Sequence, residues 1–143
     1  MFDKPTIYVS HPIRPNKYSR KENLKLAISC AERLRSLFPE VHFYIPAEGE
    51  PVFQAVKEAK LLDEESLIDE IDLRILAKCD GQIVLYWDSS HGCIKERKYA
   101  VKQNIPSITI PWFINKASYT AVRKALEPFI TQTVLNFRRK LDE

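Results

Sequence analysis

Short apolar runs with strand character alternate along the chain with stretches whose apolar residues recur at helical spacing. Thr6-Ile7-Tyr8-Val9-Ser10, β-branched and aromatic after Pro5, reads as a first strand. A loop with Pro12 and Pro15 follows. Leu24, Ala27, Ile28, Ala31, Leu34 and Phe38 then recur at three- and four-residue steps, which predicts an amphipathic helix. Val41 to Ile45 reads as a second strand, closed by Pro46. Residues 47–52 read as a loop, and residues 53–78 as one broken helix or two, with apolar positions Leu67, Ile71, Ile75 and Leu76. A polar-ended helical stretch, Asp72 to Asp80, leads into the apolar run Gly81 to Tyr86, a third strand. The polar turn Trp87 to Gly92 enters a helix over 93–103. Pro106 to Ile110 predicts a fourth strand ended by Pro111, and a long helical pattern runs from Ser118 to Leu141.

Strands separated by helices require parallel crossovers, which are right-handed in nearly all proteins. The pattern therefore predicts an α/β fold: a small doubly wound, mainly parallel sheet flanked by helices, Rossmann-like, in one domain spanning 1–143. A chain of 143 residues is long enough for one real core and too short for two. Ligands of such sheets bind outside the carboxyl ends of the strands. Three segments meet there: Ser10 to Asn16, Ala47 to Val52, and Trp87 to Glu96.

Composition narrows the classes. Hydrophobic residues make up 45% and charged residues 29%, which fits a globular protein. No apolar run approaches the roughly 20 residues that span a bilayer, and Met1 to Pro5 lacks the pattern of a secretory signal. The expectation is a cytoplasmic protein with no membrane partner. Three cysteines, Cys30, Cys79 and Cys93, form neither a disulfide framework nor a zinc knuckle, and they read as small buried hydrophobes. A net charge of +3 is too small to argue for nucleic-acid binding. GxxxxGK[ST] and GxGxxG are both absent, so a nucleoside triphosphatase or a dinucleotide dehydrogenase is unsupported.

The candidate chemistry lies between Asp72 and Glu96. Gly92 stands where a turn enters a helix, a place that calls for positive φ or close approach of a ligand. Ser89, Ser90 and the amides of the following helix suit an anion such as phosphate. Each candidate also has a plainer reading. Glu96 serves equally as a helix-start carboxylate complementing the dipole, and Ser90 as an N-cap. Asp72 lies in an acidic stretch that mostly faces water, and His11 and Arg14 are loop residues that solvent alone would accommodate. Trp87, at a strand end, is placed to stack on a base.

Taken together, Asp72-Leu73, Cys79-Asp80, an apolar strand, Ser90-x-Gly92 and Glu96 resemble the nucleoside 2-deoxyribosyltransferase superfamily. The closer likeness is to its branch of 2'-deoxynucleoside 5'-monophosphate N-hydrolases and related CMP hydrolases. Ile7-Tyr8 and Ile13-Arg14 also fit. The resemblance implies that Glu96 lies beneath the anomeric carbon as nucleophile or stabiliser of an oxocarbenium-like transition state. It implies that Asp72 protonates the leaving base or positions the sugar, and that Tyr8 orients Glu96. Arg14 and Ser90 would bind the 5'-phosphate, with the Gly92 amide region helping. The transferase branch tends to carry an aspartate at the place of Ser90, where a negative charge would repel phosphate, so Ser90 favours a monophosphate.

Two features depart from the family pattern. His11 stands where glycine is usual, either narrowing the site or adding a phosphate donor, and the serine that the hydrolase branch donates from a partner subunit has no firm counterpart, Ser118 being a candidate. The expectation is an enzyme using water and neither metal nor organic cofactor, cleaving a (deoxy)nucleoside 5'-monophosphate to free base and sugar phosphate. Tyr8 leans towards a 2-deoxy sugar. Base exchange by a deoxyribosyltransferase and a non-catalytic nucleotide sensor are the alternatives. A homodimer is expected through the apolar face of the last helix (Ala121, Leu126, Ile130, Val134, Phe137).

Overall fold

The computed structural model describes residues 3–60, 63, 66, 71–88, 90–110 and 119–143. Its elements run β1 (Thr6–Ser10), α1 (Arg20–Leu37), β2 (His42–Tyr44), a 3-10 turn (Pro46–Gly49) leading into α2 (Glu50–Glu58), α3 (Leu73–Leu76), β3 (Gly81–Leu85), α4 (His91–Lys102), β4 (Ser107–Ile110) and α5 (Tyr119–Leu141). The four strands form one parallel sheet in the order β2-β1-β3-β4. The alternating pattern thus produces the expected small doubly wound, Rossmann-like α/β fold. From β1 the chain moves outward to β2 and then crosses back to β3 on the other side. A crevice opens where those two connections diverge, at the carboxyl ends of β1 and β3.

Local chemistry explains where element boundaries depart from the apolar periodicity. α1 begins at Arg20, before the first periodic apolar residue, because Ser19 and Glu22 form a reciprocal capping box. The Ser19 hydroxyl accepts from the Glu22 amide at 3.1 Å, and the Glu22 carboxylate accepts from the Ser19 amide at 3.1 Å. The predicted loop 47–52 is instead a 3-10 turn followed by the start of α2, whose first turn tolerates Pro51 because a first-turn amide has no helical partner to lose. Regular helix within the predicted Asp72–Asp80 stretch is confined to Leu73–Leu76. A wide π turn precedes it at 71–72, a backbone form often found at functional sites. α4 starts at His91, with Ser90 as its cap, so Gly92 is already helical. No described glycine has positive φ, and the left-handed conformation suggested for Gly92 does not occur. Ser118, Pro111 and Leu67 lie outside the described residues.

The two faces of the sheet differ in chemistry. Ile7, Val9, Ile83 and Leu85 meet Ala27, Cys30, Ala31 and Leu34 of α1, and Val122, Leu126 and Ile130 of α5, in a dry core. Gly81 lets α5 pack closely here: a Cβ at that position would come within 3.2 Å of the Phe129 ring. Leu126 and Ile130, expected on a dimer face, are therefore used up inside this core. The opposite face carries Tyr8, Ser10 and Gln82, all fully buried, beneath α3 and α4. No described helix is long and apolar enough to cross a membrane.

Candidate active site

A cavity of about 690 Å³ opens at the switch point. Arg14 and Asn16 from the β1 loop, Tyr44 at the end of β2, and Phe53 and Val56 of α2 form part of its wall. Ile71 and Asp72 approach from before α3, and Ser90, Gly92, Ile94 and Glu96 from α4 and its cap. Sequence positions far apart are thus gathered at one crevice.

Glu96 is the sixth residue of α4, beyond the first turn, where complementing the helix dipole would place an acid. Its side chain is buried and accepts a hydrogen bond from the Tyr8 hydroxyl. Burial disfavours its charged form and lifts its pKa to about 8. The Tyr8 bond opposes that rise, the Asp72 charge adds to it, and the Ser10 hydroxyl opposes it. Asp72, also largely removed from water, is raised by burial to about 6. Two nearby carboxylates lifted to different heights can hold one proton between them near neutrality. Burial foremost, and then the same two acids, raise both tyrosines. Tyr8 goes well above the usual phenol value and Tyr44 to about 12, so both remain neutral donors. Tyr44 packs on Tyr8 with ring centroids 5.3 Å apart.

The side of the cavity expected to take an anion centres on α4. The Ser90 Oγ accepts from the Cys93 amide at 3.2 Å, so the N-cap reading of Ser90 holds. A capping hydroxyl keeps its own proton, and Ser90 lines the cavity, so it can cap and donate to a ligand at once. The Gly92 amide is a first-turn donor that no carbonyl of α4 can reach. Arg14 is exposed at the rim, on a loop that is firmly held. Asn23, buried in α1, donates to the Arg14 carbonyl at 3.1 Å and to the Asn16 side chain at 3.2 Å. The Lys17 amide on the same loop donates to Asp88 at 2.6 Å.

Two expected contact residues have their polar atoms engaged by the protein itself. Trp87 does not line the cavity. Its indole N–H donates to Asn23 at 2.9 Å, and its ring packs beside the core and parallel to His11, so it braces the Arg14 loop. His11 lines the cavity, but both ring nitrogens engage the protein. Nδ1 meets the Pro12 carbonyl at 3.1 Å, and Nε2 meets the Ala47 amide at 3.2 Å. The amide can only donate, so Nε2 accepts and Nδ1 carries the proton. Burial lowers the imidazole to about 4, keeping it neutral. Of the two roles considered for His11, narrowing the site fits this geometry, and the phosphate-donor role does not.

Several wall residues escaped the sequence reading. Phe53 and Tyr44 supply the aromatic surface that Trp87 was expected to give. The Arg20 guanidinium sits 4.8 Å from the Phe53 ring centroid and binds Glu50 at 2.8 Å, and Gln54 also donates to Glu50 at 2.8 Å. Of these groups, only Glu50 lay in the stretch 47–52 read as a loop; Phe53 and Gln54 lay in the predicted helix without being marked as wall residues. Ser10 and Gln82 were passed over because they sit inside apolar strand runs. A polar residue within a buried strand was the available signal. The three cysteines are free and buried, and burial pushes the Cys79 and Cys93 thiols up to about 12, which makes them poor nucleophiles. Among the described residues, no cluster of three or more His, Cys, Asp or Glu side chains is placed to hold a metal ion. Comparison with protein-family models, curated proteins and solved structures returned no match.

Proposed function

We propose that the protein is a nucleotide N-glycosidase, related to the nucleoside 2-deoxyribosyltransferase superfamily that its motif resembles. In this reading it hydrolyses a (deoxy)nucleoside 5'-monophosphate to free base and (deoxy)ribose 5-phosphate. The observation that carries the proposal is the buried Glu96 carboxylate, held by Tyr8, lining one cavity with Asp72 at the switch point.

In the empty site the one proton of the pair lies on Glu96. In the substrate complex it lies on Asp72, so that the ionised Glu96 attacks or shields the anomeric carbon as its bond to the base nitrogen breaks and Asp72 delivers that proton to the departing base. Water then attacks the same carbon, breaking the ester to Glu96 where one has formed, and gives its proton to the Asp72 carboxylate. Arg14, the Ser90 hydroxyl and the Gly92 amide take the phosphate, and the uncharged Ser90 leaves that subsite free of repulsion. Phe53 and Tyr44 face the base or sugar. The enzyme would act in the cytosol, needs no metal or organic cofactor in this mechanism, and would work as a homodimer, as the resemblance implies.

The test is incubation with a panel of ribo- and deoxyribonucleotides, scoring free base by chromatography with and without a second free base. Release of base with equimolar sugar phosphate supports hydrolysis, and a swapped nucleotide in the second arm reveals base transfer. Nucleotide that binds and is recovered intact across the panel overturns the enzymatic reading.

A further inference from the structure

The α2 side of the cavity is apolar except at one place. Val52, Phe53 and Val56 line it, and the Glu50 carboxylate stands beside them as the one polar lining group that α2 supplies. Glu50 is the first residue of α2, as Arg20 is the first of α1, and the two side chains meet with most of their surface removed from water. Arg20 Nη2 donates to Glu50 Oε1 at 2.8 Å and to Oε2 at 3.2 Å. Gln54 Nε2, one turn along α2, donates to Oε1 at 2.8 Å. Oε1 therefore has both lone pairs engaged, whereas Oε2 accepts a single long bond and keeps a lone pair for another donor. An acid at a helix start also complements the dipole, and the ion pair ties α1 to α2. Those duties use the charge and leave the remaining acceptor unspent.

The surface beside this acceptor suits a flat ring. Phe53 lies on the cavity wall with the Arg20 guanidinium 4.8 Å from its ring centroid. Stacking on an aromatic ring gives affinity without choosing between bases, because every base has a π-face. Choice needs a hydrogen-bonding group placed at the base's edge. In the mechanism above Arg14, Ser90 and Gly92 take the phosphate, and Glu96 and Asp72 act at the bond that breaks. His11 has both ring nitrogens engaged by the protein. Glu50 stands outside these roles, and a carboxylate can only accept. An amino group on the base would satisfy it, and a carbonyl oxygen in the same place would be repelled.

We propose that Glu50 is a specificity-determining residue that selects a nucleobase carrying an exocyclic amino group, as cytosine, adenine and guanine do, over uracil, thymine and hypoxanthine. This selection rests on the nucleotide reading given above.

The test compares monophosphates that differ in whether one ring position carries an amino group: CMP with UMP, AMP with IMP, and GMP with IMP, each also as its deoxy form. Dissociation constants are measured by calorimetry on Glu96→Gln protein, so that bound nucleotide is not consumed. In at least one pair the amino-bearing nucleotide should bind at least about tenfold more tightly, the worth of one hydrogen bond to a charged group. Glu50→Gln in the same background keeps the side chain's shape but can turn an NH₂ to the ligand, so it should abolish or reverse that preference. Glu50→Ala should bring the members of the pair to equal affinity; if it does not fold, the isosteric Glu50→Gln decides alone. A residue that only ties α1 to α2 would, when replaced, weaken both members of a pair alike. Equal binding within every pair, or a preference that survives Glu50→Gln, overturns the proposal. Its failure is distinct from that of the glycosidase reading. Amino preference without base release by the wild type overturns the glycosidase and keeps the role of Glu50, base release without amino preference does the reverse, and no binding across the panel overturns both.

Discussion

The two faces of the sheet come from the same strands, yet one is oil and the other is a polar network. Ile7, Val9, Ile83 and Leu85 bury against α1 and α5 with nothing to hydrogen-bond. Their neighbours one residue along, Tyr8, Ser10 and Gln82, are as deeply buried but polar: the Tyr8 hydroxyl donates to Glu96, and the Gln82 amide donates to Ser10. The apolar face gains from every methylene removed from water. The polar face gains little net stability from its bonds, because each replaces a bond to water, but it loses heavily if one partner is removed. The difference separates two duties: one face holds the fold together, and the other holds a carboxylate in a position and charge state that water would not maintain.

That division can be broken from either side. Glu96→Gln should lower base release by at least about 10³-fold, as expected for loss of a reacting group, and leave the melting temperature unchanged or raised. Activity assays beside thermal unfolding decide it. A variant that keeps its activity would remove Glu96 from the chemistry. Leu34→Ala on the opposite face should do the reverse. It should destabilise the protein by about 2–5 kcal/mol in denaturant titration while turnover per folded molecule stays unchanged.

A third effect is smaller and depends on pH. The folded protein holds the Glu96 proton up to about 8, whereas the unfolded chain releases it near 4.5. The stabilising contribution of that retained proton is complete at low pH and fades as pH rises through the folded value. Asp72 fades earlier, near 6, and His11 acts in the opposite sense only below 6.5. Between pH 6.5 and 8 the melting temperature should therefore fall in the wild type and stay flatter in Glu96→Gln. Equal slopes would place the titrating group elsewhere. The smallest effect belongs to Trp87→Phe, which keeps an aromatic ring but loses the bond to Asn23. A slackened Arg14 loop should raise the KM for nucleotide roughly fivefold with kcat held, the worth of one hydrogen bond.

Periodicity placed the strands and the long helices because burial repeats every two or 3.6 residues whatever the tertiary contacts. Boundaries slipped where side chains cap the backbone, as at Ser19 and Ser90. They also slipped where Pro51 looked like a loop signal but sat in a helix's first turn. In the site, the spacing of Asp72, Ser90, Gly92 and Glu96 marked residues that converge. Spacing carries no information about orientation, so it placed Trp87 on a ligand when the indole braces a loop. It also left open a donor role for His11, whose two nitrogens already bind Pro12 and Ala47.

By itself, the sequence determined the fold class, the strand positions and the crevice where polar residues gather, because those follow from local periodicity and the geometry of parallel crossovers. Only the tertiary structure decided which polar groups lose their water. Burial and hydrogen-bond partners, supplied by residues as distant as Tyr8 and Glu96, set the charge of a carboxylate. No local pattern along the chain encodes that meeting.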